Sequence, residues 1–184
     1  MRFHTTSLDG VRIINLEPIR DSRGFFARTF CVEEFAAHGI ETQYPQHSVS
    51  FSVRKGTLRG MHYQSAAHSE AKLIRCLSGA IWDVLIDIRP GSPTYGRWQG
   101  FELSDANGHQ LYAPRGFAHG FQTLSHDVSV NYLISQPHVS EAACGIRYND
   151  PSFCIAWPLP INEISDKDLR WPDFVGAIPM VPPG

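Results

Sequence analysis

An all-β domain of the double-sheet jelly-roll kind is what this sequence predicts, and three observations carry that expectation. Thirteen prolines and fifteen glycines cut the chain into short pieces, and these two residues are the strongest breakers of regular structure. Between the breaks stand runs rich in β-branched and aromatic residues, such as Ala80–Ile88 and Val128–Ile134, a composition that fits a pleated, half-buried surface. At least eight such runs follow one another in 184 residues with no linker and no internal repeat. One domain spanning 1–184 is therefore expected, with two packed sheets as the way to limit open edges.

The elements can be placed in order. Val11–Leu16 reads as a first strand, Arg20–Gly24 as a turn and Phe25–Phe30 as a second strand. Cys31–His38 is the one early helix, with Val32, Phe35 and Ala36 on a common face and Gly39 at the position after the helix where a left-handed residue is favoured. His47–Val53 is extended and alternates polar with apolar residues. A basic turn, Arg54-Lys55-Gly56, leads into a strand, Leu58–Gln64, and then a small polar loop to Ala71. Lys72–Leu77 and Ala80–Ile88 read as a hairpin about Ser78-Gly79. That register sets Ile74 opposite Asp83 and Lys72 diagonal to it. In the second of these strands Trp82, Val84, Ile86 and Ile88 share one face, Asp83 and Asp87 the other. Gly91–Gly96 is a turn, Trp98–Leu103 a strand, and Asn107-Gly108 a further hairpin turn before Gln110–Ala113. Val128–Ile134 carries Tyr132, and Ser165–Asp168 starts a short helix or turn.

Composition narrows the function classes. A hydrophobic content of 42% with 18% charged residues is globular, and a net charge of -2 gives no nucleic-acid surface. No apolar run reaches membrane-spanning length and the N-terminus lacks a signal-peptide core, so a cytoplasmic address without a membrane partner is expected. Cys31, Cys76, Cys144 and Cys154 show no CxxC spacing, which favours small buried or half-buried thiols over a zinc knot or a disulfide framework.

Leu58-Arg59-Gly60-Met61-His62-Tyr63-Gln64 is the densest chemistry. Arg59 offers a planar fork of donors suited to phosphate, and His62 can take a proton near neutral pH. Strict alternation sets the two on opposite faces. They serve one pocket only if Gly60 marks a bulge or Arg59 reaches round from the strand end. Further on, Pro114-x-Gly116-x-x-His119 resembles the second motif of the cupins, which are double-stranded β-helices. Metal-binding cupins carry His-x-His in their first motif. Here Gln64 stands at the second His and Glu70 is the available acid. Two or three ligands make a weak metal site, so no metal is expected.

Taken together, several motifs resemble the dTDP-4-dehydrorhamnose 3,5-epimerase family of RmlC-like cupins. They are Asp21-x-Arg23-Gly24-Phe25-Phe26, Leu58-Arg59-Gly60-x-His62-Tyr63-Gln64, Lys72-Leu73-Ile74-Arg75, Asp83-Val84-x-x-Asp87-Ile88-Arg89, Pro114-x-Gly116-Phe117-Ala118-His119-Gly120-Phe121, Tyr132 and Ser165-x-Lys167-Asp168. They are colinear over most of the chain. The resemblance implies epimerisation at C3 and/or C5 of a nucleotide-linked 4-keto-6-deoxy sugar without a cofactor, in rhamnose-type deoxysugar biosynthesis. It implies His62 as base, Asp168 as its carboxylate partner, Tyr132 as the acid on the other face and Lys72 at the enolate oxygen, with His119 nearby. It also implies that Arg23 and Arg59 hold the diphosphate, Arg23 on a strand exchanged within a homodimer.

The chemistry agrees: a proton next to a ketone needs a donor at the developing oxyanion, and inversion needs two acid-base groups. Ordinary imidazole and phenol, with pKa values near ~6.5 and ~10, divide the work of accepting and donating at neutral pH. Plainer readings stand beside these. A lone strand His is more often structural, Tyr132 alone is an ordinary strand aromatic, Asp83 and Lys72 suit a structural ion pair, and His119 suits a packed turn. Ser165-x-x-Asp168 is also a helix-capping pattern.

The chain departs from the family at Arg28, Tyr44-Pro45-Gln46, Leu133, Pro137-His138 and Ala143. Arg28, Gln46, Asp83 and Lys167 are expected, with Arg23, Arg59 and His119, on the substrate-binding side. The altered positions leave room for a CDP- or GDP-linked keto sugar. A metal cupin or a non-catalytic sugar-nucleotide binder are the rival classes.

Overall fold

The computed structural model describes residues 1–176 of the protein. In chain order its elements are β1 (Arg2–Thr5), β2 (Arg12–Asn15), β3 (Ile19–Asp21), β4 (Gly24–Phe26), α1 (Val32–Ala37), β5 (Gln46–Ser52), β6 (Thr57–Gln64), β7 (Lys72–Ser78) and β8 (Ala80–Asp87). They continue with β9 (Trp98–Ser104), β10 (His109–Ala113), β11 (Phe117–Thr123), β12 (Val128–Ile134), β13 (Ala143–Gly145), β14 (Glu163–Ile164) and α2 (Asp166–Leu169). The first sheet runs β1-β2-β10-β7-β12-β5, and the second runs β13-β6-β11-β8-β9 with β14 added in parallel to β6. β3 and β4 form a small hairpin apart from both. This is the jelly roll that the broken, β-rich sequence leads one to expect.

Two turns behave differently from their sequence reading. β7 and β8 do not pair with each other: β7 lies between β10 and β12 in the first sheet, β8 between β11 and β9 in the second. Ile74 is therefore opposite Tyr132, not Asp83. Gly79 makes this corner at φ 76°, where an added Cβ would press on Ser125 and Val128. Asn107-Gly108 likewise joins β9 and β10, which belong to different sheets. By crossing over, β7, β8 and β10 each gain two neighbours, while β9 pairs with β8 at the edge of its sheet.

The side-chain alternation of β8 holds. Ile81 and Leu85 enter the core between the sheets with Val11, Ile74, Leu103, Leu111 and Phe121, while Val84 and Ile86 pack outside with Met61, Phe153 and Trp157. The other outer face is covered by α1. Only Phe35 of its expected apolar face is buried, against Ile14, Leu73 and Tyr112; Val32 is exposed. Gly39, at φ 65°, ends the helix and donates to Ala36 O. Cys76 is buried, Cys31 and Cys144 are half-buried, and Cys154 is exposed. No helix among the described residues is long and apolar enough to cross a membrane.

β5 inverts the usual order. Ser48, Ser50 and Ser52 face the interior of the sandwich, and Val49, Phe51 and Val53 face out and are exposed. Strands of this kind have a polar cavity on one side and an apolar patch on the other. The hydrophobic core fills the sandwich at one end, and the cavity lies at the other, between β5, β6, β7, β11 and β12.

Candidate active site

The site begins with a bulge. β11 pairs with β6 so that His119 opposes His62 and Phe121 opposes Arg59. Gly60 and Met61 together thus face the single residue Gly120. An extra residue on one strand reverses the facing of the residues beyond it, and Arg59 and His62 come to line the same cavity while Met61 turns to the outer core. Glycine is required on both strands here. A Cβ on Gly60 would lie 2.5 Å from Gly120 Cα, and one on Gly120 would lie 2.6 Å from Met61 Sδ. The close approach is what allows a cation and an imidazole three residues apart to share a pocket.

His62 Nε2 donates to Asp168 Oδ1 at 2.6 Å, which fixes the tautomer and leaves Nδ1 as the other ring nitrogen. Asp168 Oδ2 accepts from the Gly60 N–H at 3.3 Å, and Oδ1 also from Trp171 Nε1 at 3.2 Å. Burial works against ionising Asp168, but the His62, Gly60 and Trp171 donors outweigh it and hold its pKa below the ordinary carboxylate value. The capping pattern is real as well: Ser165 Oγ accepts from the Asp168 N–H at 3.1 Å at the start of α2. Backbone and side chain of Asp168 therefore serve two purposes at once.

Tyr132 comes from β12 in the opposite sheet, so its phenol and the His62 imidazole belong to opposite walls. Its hydroxyl lies 3.3 Å from Ser50 Oγ. Burial raises its pKa well above the ordinary phenol value, more than Ser50 lowers it, and so keeps a proton on the oxygen. His119, on β11, packs edge-on to Tyr132 with ring centroids 6.0 Å apart and donates from Nε2 to Asp83 Oδ2 at 2.9 Å. Burial raises the Asp83 pKa, with His119 and Lys72 acting against it. Lys72 Nζ sits 3.0 Å from Glu70 Oε1. Arg59 is held at the mouth by bonds from Nε to Ser52 Oγ at 3.0 Å and from Nη2 to Phe51 O at 2.9 Å.

His62, Lys72, His119, Tyr132, Arg59, Gln46, Lys167 and Asp168 all line one cavity of about 860 Å³. Asp83 lies behind His119 and does not line it. Arg23 is elsewhere, 88% exposed in the turn of the small β3–β4 hairpin and paired with Asp21. Arg28 is also outside the cavity and pairs with Glu34 at 2.7 Å. Of the positions where the sequence departs from the family, Gln46, His138 and Ala143 reach the cavity wall, while Tyr44 and Leu133 pack under α1. Gln46 Oε1 accepts from the His138 N–H at 2.8 Å. Gln64, at the second histidine position of metal cupins, accepts from the Val139 N–H at 2.8 Å and donates to His68 O at 3.1 Å. Both ends of its amide are thus engaged in bracing loops.

Sequence reasoning passed over the inward serines of β5, and it passed over Trp171 as a donor to Asp168. The alternation in His47–Val53 was the available signal for the serines, but alternation does not say which face is inside.

These groups can remove a proton from one side of a bound molecule, supply one from the other, and hold an oxyanion between Lys72 and His119. The family model described as dTDP-4-dehydrorhamnose 3,5-epimerase matches residues 5–175. The enzyme of that name from Methanothermobacter thermautotrophicus is 43% identical over 173 residues, 92% of each chain. A dTDP-4-dehydrorhamnose 3-epimerase from Streptomyces niveus is 36% identical over 91% of this chain and 81% of its own. Among solved structures, the 3,5-epimerase of Elizabethkingia anophelis superposes with a TM-score of 0.91 at 36% identity, covering 95% of this chain and 96% of that one. The Legionella pneumophila enzyme, in complex with dTDP-4-keto-L-rhamnose, gives 0.88 at 38% identity over 94% and 92%. Matched in sequence and in fold along nearly its whole length, this chain belongs to the dTDP-4-dehydrorhamnose 3,5-epimerase family.

Proposed function

We propose that the protein is an isomerase that epimerises a dTDP-linked 4-keto-6-deoxy sugar at C3 and/or C5 by proton removal and return. The observation that carries this is the His62–Asp168 pair and the Tyr132 phenol on opposite walls of one cavity. His62 Nδ1 takes the proton next to the ketone, and Asp168 stabilises the imidazolium that forms. The C–H electron pair moves onto the ketone oxygen, where Lys72 and His119 hold the enolate. Tyr132 then delivers its proton to the opposite face of the same carbon, inverting it. Arg59 takes the diphosphate at the cavity mouth.

The outward apolar row of β5 and the exposed Ile19, Phe25 and Phe26 of the β3–β4 hairpin support a homodimer. In it the N-terminal strands are exchanged, so that Arg23 serves the partner's diphosphate site. Sedimentation at micromolar concentration should show a dimer, and a monomer there would remove Arg23 from the site. A cytoplasmic location belongs to the same reading, since that is where nucleotide sugars are made and used.

The test is solvent deuterium incorporation into dTDP-, CDP- and GDP-linked 4-keto-6-deoxy sugars. Label is expected in the dTDP sugar, and its position at C5, C3 or both separates a 3,5-epimerase from a mono-epimerase. Preference for CDP or GDP would shift the nucleotide and keep the chemistry. His62→Ala is expected to lower exchange about 10²–10⁴-fold. Tyr132→Phe should retain exchange and lose inversion. No label in any sugar would end the epimerase reading.

A further inference from the structure

Glu70 stands in the cavity wall beside Lys72, and its two oxygens are used unequally. Oε1 meets Lys72 Nζ at 3.0 Å, whereas Oε2 is buried and has no hydrogen-bond partner among the described residues. The side chain is 7% exposed. A charged oxygen taken out of water without a donor is disfavoured, and natural structures rarely keep one without a functional reason. The backbone here is tied down on both sides. Ser135 Oγ accepts from the Ala71 N–H at 2.8 Å, the Ser135 N–H donates to Ala71 O at 3.0 Å, and Ser69 Oγ accepts from the Gly116 N–H at 2.9 Å. Glu70 and Lys72 are two residues apart on an extended chain and point to the same side, so their pairing is built in rather than a chance surface contact.

We propose that Glu70 reads the substrate, accepting a hydrogen bond from the hydroxyl on the carbon next to the ketone. The proposal deepens the epimerase reading and rests on it. In a 4-keto-6-deoxy pyranose, C5 carries the ring oxygen and the methyl group, so the hydroxyl adjacent to the ketone is the one at C3. The two oxygens of such a hydroxyketone stand side by side, one accepting and one donating. Lys72 and Glu70 present the complementary order, a donor at Nζ and an acceptor at Oε2, with the carboxylate's other oxygen 3.0 Å from Nζ. With the ketone oxygen on Lys72, the C3 hydroxyl falls to Glu70 and supplies the donor that the carboxylate lacks. A site built to bond a hydroxyl discriminates strongly against an analogue without it. Glu70 therefore selects sugars that keep oxygen at C3.

The test is a cycle between Glu70 and that hydroxyl, using dTDP-4-keto sugars with and without oxygen at C3. Deuterium exchange beside the ketone, at C5 or C3, gives kcat/KM, and calorimetry gives binding. The wild type is expected to lose roughly 100-fold in kcat/KM on the 3-deoxy sugar. Glu70→Leu, which also takes a partner from Lys72, should lose roughly 10-fold or more beyond its loss on the 3-deoxy sugar when the sugar is 3-hydroxy, since the coupling is confined to the pair. Equal losses on both sugars would mean that Glu70 merely supports Lys72, and equal wild-type rates would mean that the hydroxyl is not read. Either result overturns the proposal. Glu70→Gln, of the same shape, carries the cycle if the leucine variant does not fold, with a smaller excess loss on the 3-hydroxy sugar. If the wild type exchanges neither sugar, the epimerase reading fails by itself. Calorimetry still decides Glu70: weaker wild-type binding of the 3-deoxy sugar that vanishes in the variants supports it, and equal binding sinks it.

Discussion

Asp83 and Asp87 stand four residues apart on β8, both fully buried, and they are treated in opposite ways. Asp87 accepts from the Arg89 backbone N–H at 3.0 Å, Arg89 Nε at 2.9 Å, and Arg89 Nη2, Ser92 Oγ and Thr94 Oγ1 at 2.6 Å each. Asp83 accepts from His119 Nε2, and its Oδ1 has no partner among the described residues. Burial resists ionisation at both. At Asp87 the donors from Arg89, Ser92 and Thr94 outweigh it and lower the pKa, while at Asp83 burial prevails over His119 and Lys72 and raises it. The first carboxylate serves the fold and has its lone pairs filled, closing the turn between β8 and β9. The second backs the cavity wall and is left short of donors, as Glu70 is. Satisfaction, rather than burial, is what separates these two carboxylates.

The largest effect that this contrast predicts is on stability. Asp87→Ala strips five hydrogen bonds and leaves Arg89 without its main partner, which should destabilise the protein by about 3–5 kcal/mol. Urea midpoints measure this, and turnover per folded molecule should stay near wild type. Asp83→Asn should instead leave stability at pH 7 unchanged or raised within about 1 kcal/mol, because an amide relieves a charge that burial disfavours. Its effect should fall on turnover. His119 loses a charged acceptor worth about 1.5–3 kcal/mol, or roughly a 10–100-fold loss in kcat. If Asp83→Asn unfolds the protein as readily as Asp87→Ala, the contrast is broken.

The two carboxylates also predict opposite pH trends. The lowered pKa of Asp87 gives stability that is present above the ordinary value of 3.8 and lost as pH falls below it toward the folded value. Asp83 has the opposite sign: its ionisation penalty is absent below 3.8 and grows as pH rises through the raised value. Stability curves of Asp87→Ala and the wild type should therefore converge in acid. Those of Asp83→Asn and the wild type should separate toward neutral pH, with the variant higher. A crossing in the other direction would show that the donor counts had been misread.

Much of this was legible in the sequence, for identifiable reasons. The β8 alternation placed Asp83 and Asp87 together on one face, and colinear motifs brought His62, Lys72, Tyr132 and Asp168 forward. The bulge at Gly60 was one of two ways to reconcile Arg59 with His62. What failed was partner choice: Ser78-Gly79 and Asn107-Gly108 turn the chain equally well inside one sheet or between two. Only long-range pairing, β7 with β12 and β8 with β11, decides between them. The different satisfaction of Asp83 and Asp87 is equally invisible locally, because Ser92 and Thr94 reach Asp87 from a turn while His119 reaches Asp83 from another strand.

Asp168 lies between the two extremes and gives the smallest test. Its carboxylate has three donors, one of which is the His62 imidazole, and its backbone N–H is capped by Ser165. Removing the cap with Ser165→Ala should lower stability by about 1 kcal/mol. It should slow exchange only a few-fold, because none of the three carboxylate donors is touched. The pKa of Asp168 is lowered, so its stabilisation is present above 3.8 and lost as pH falls through the folded value. Ser165→Ala should keep that acid limb, displaced downward as a whole, and Asp168→Asn should flatten it. Exchange in Ser165→Ala as low as in Asp168→Asn would mean that the start of α2, and not the carboxylate on His62, is what positions the imidazole.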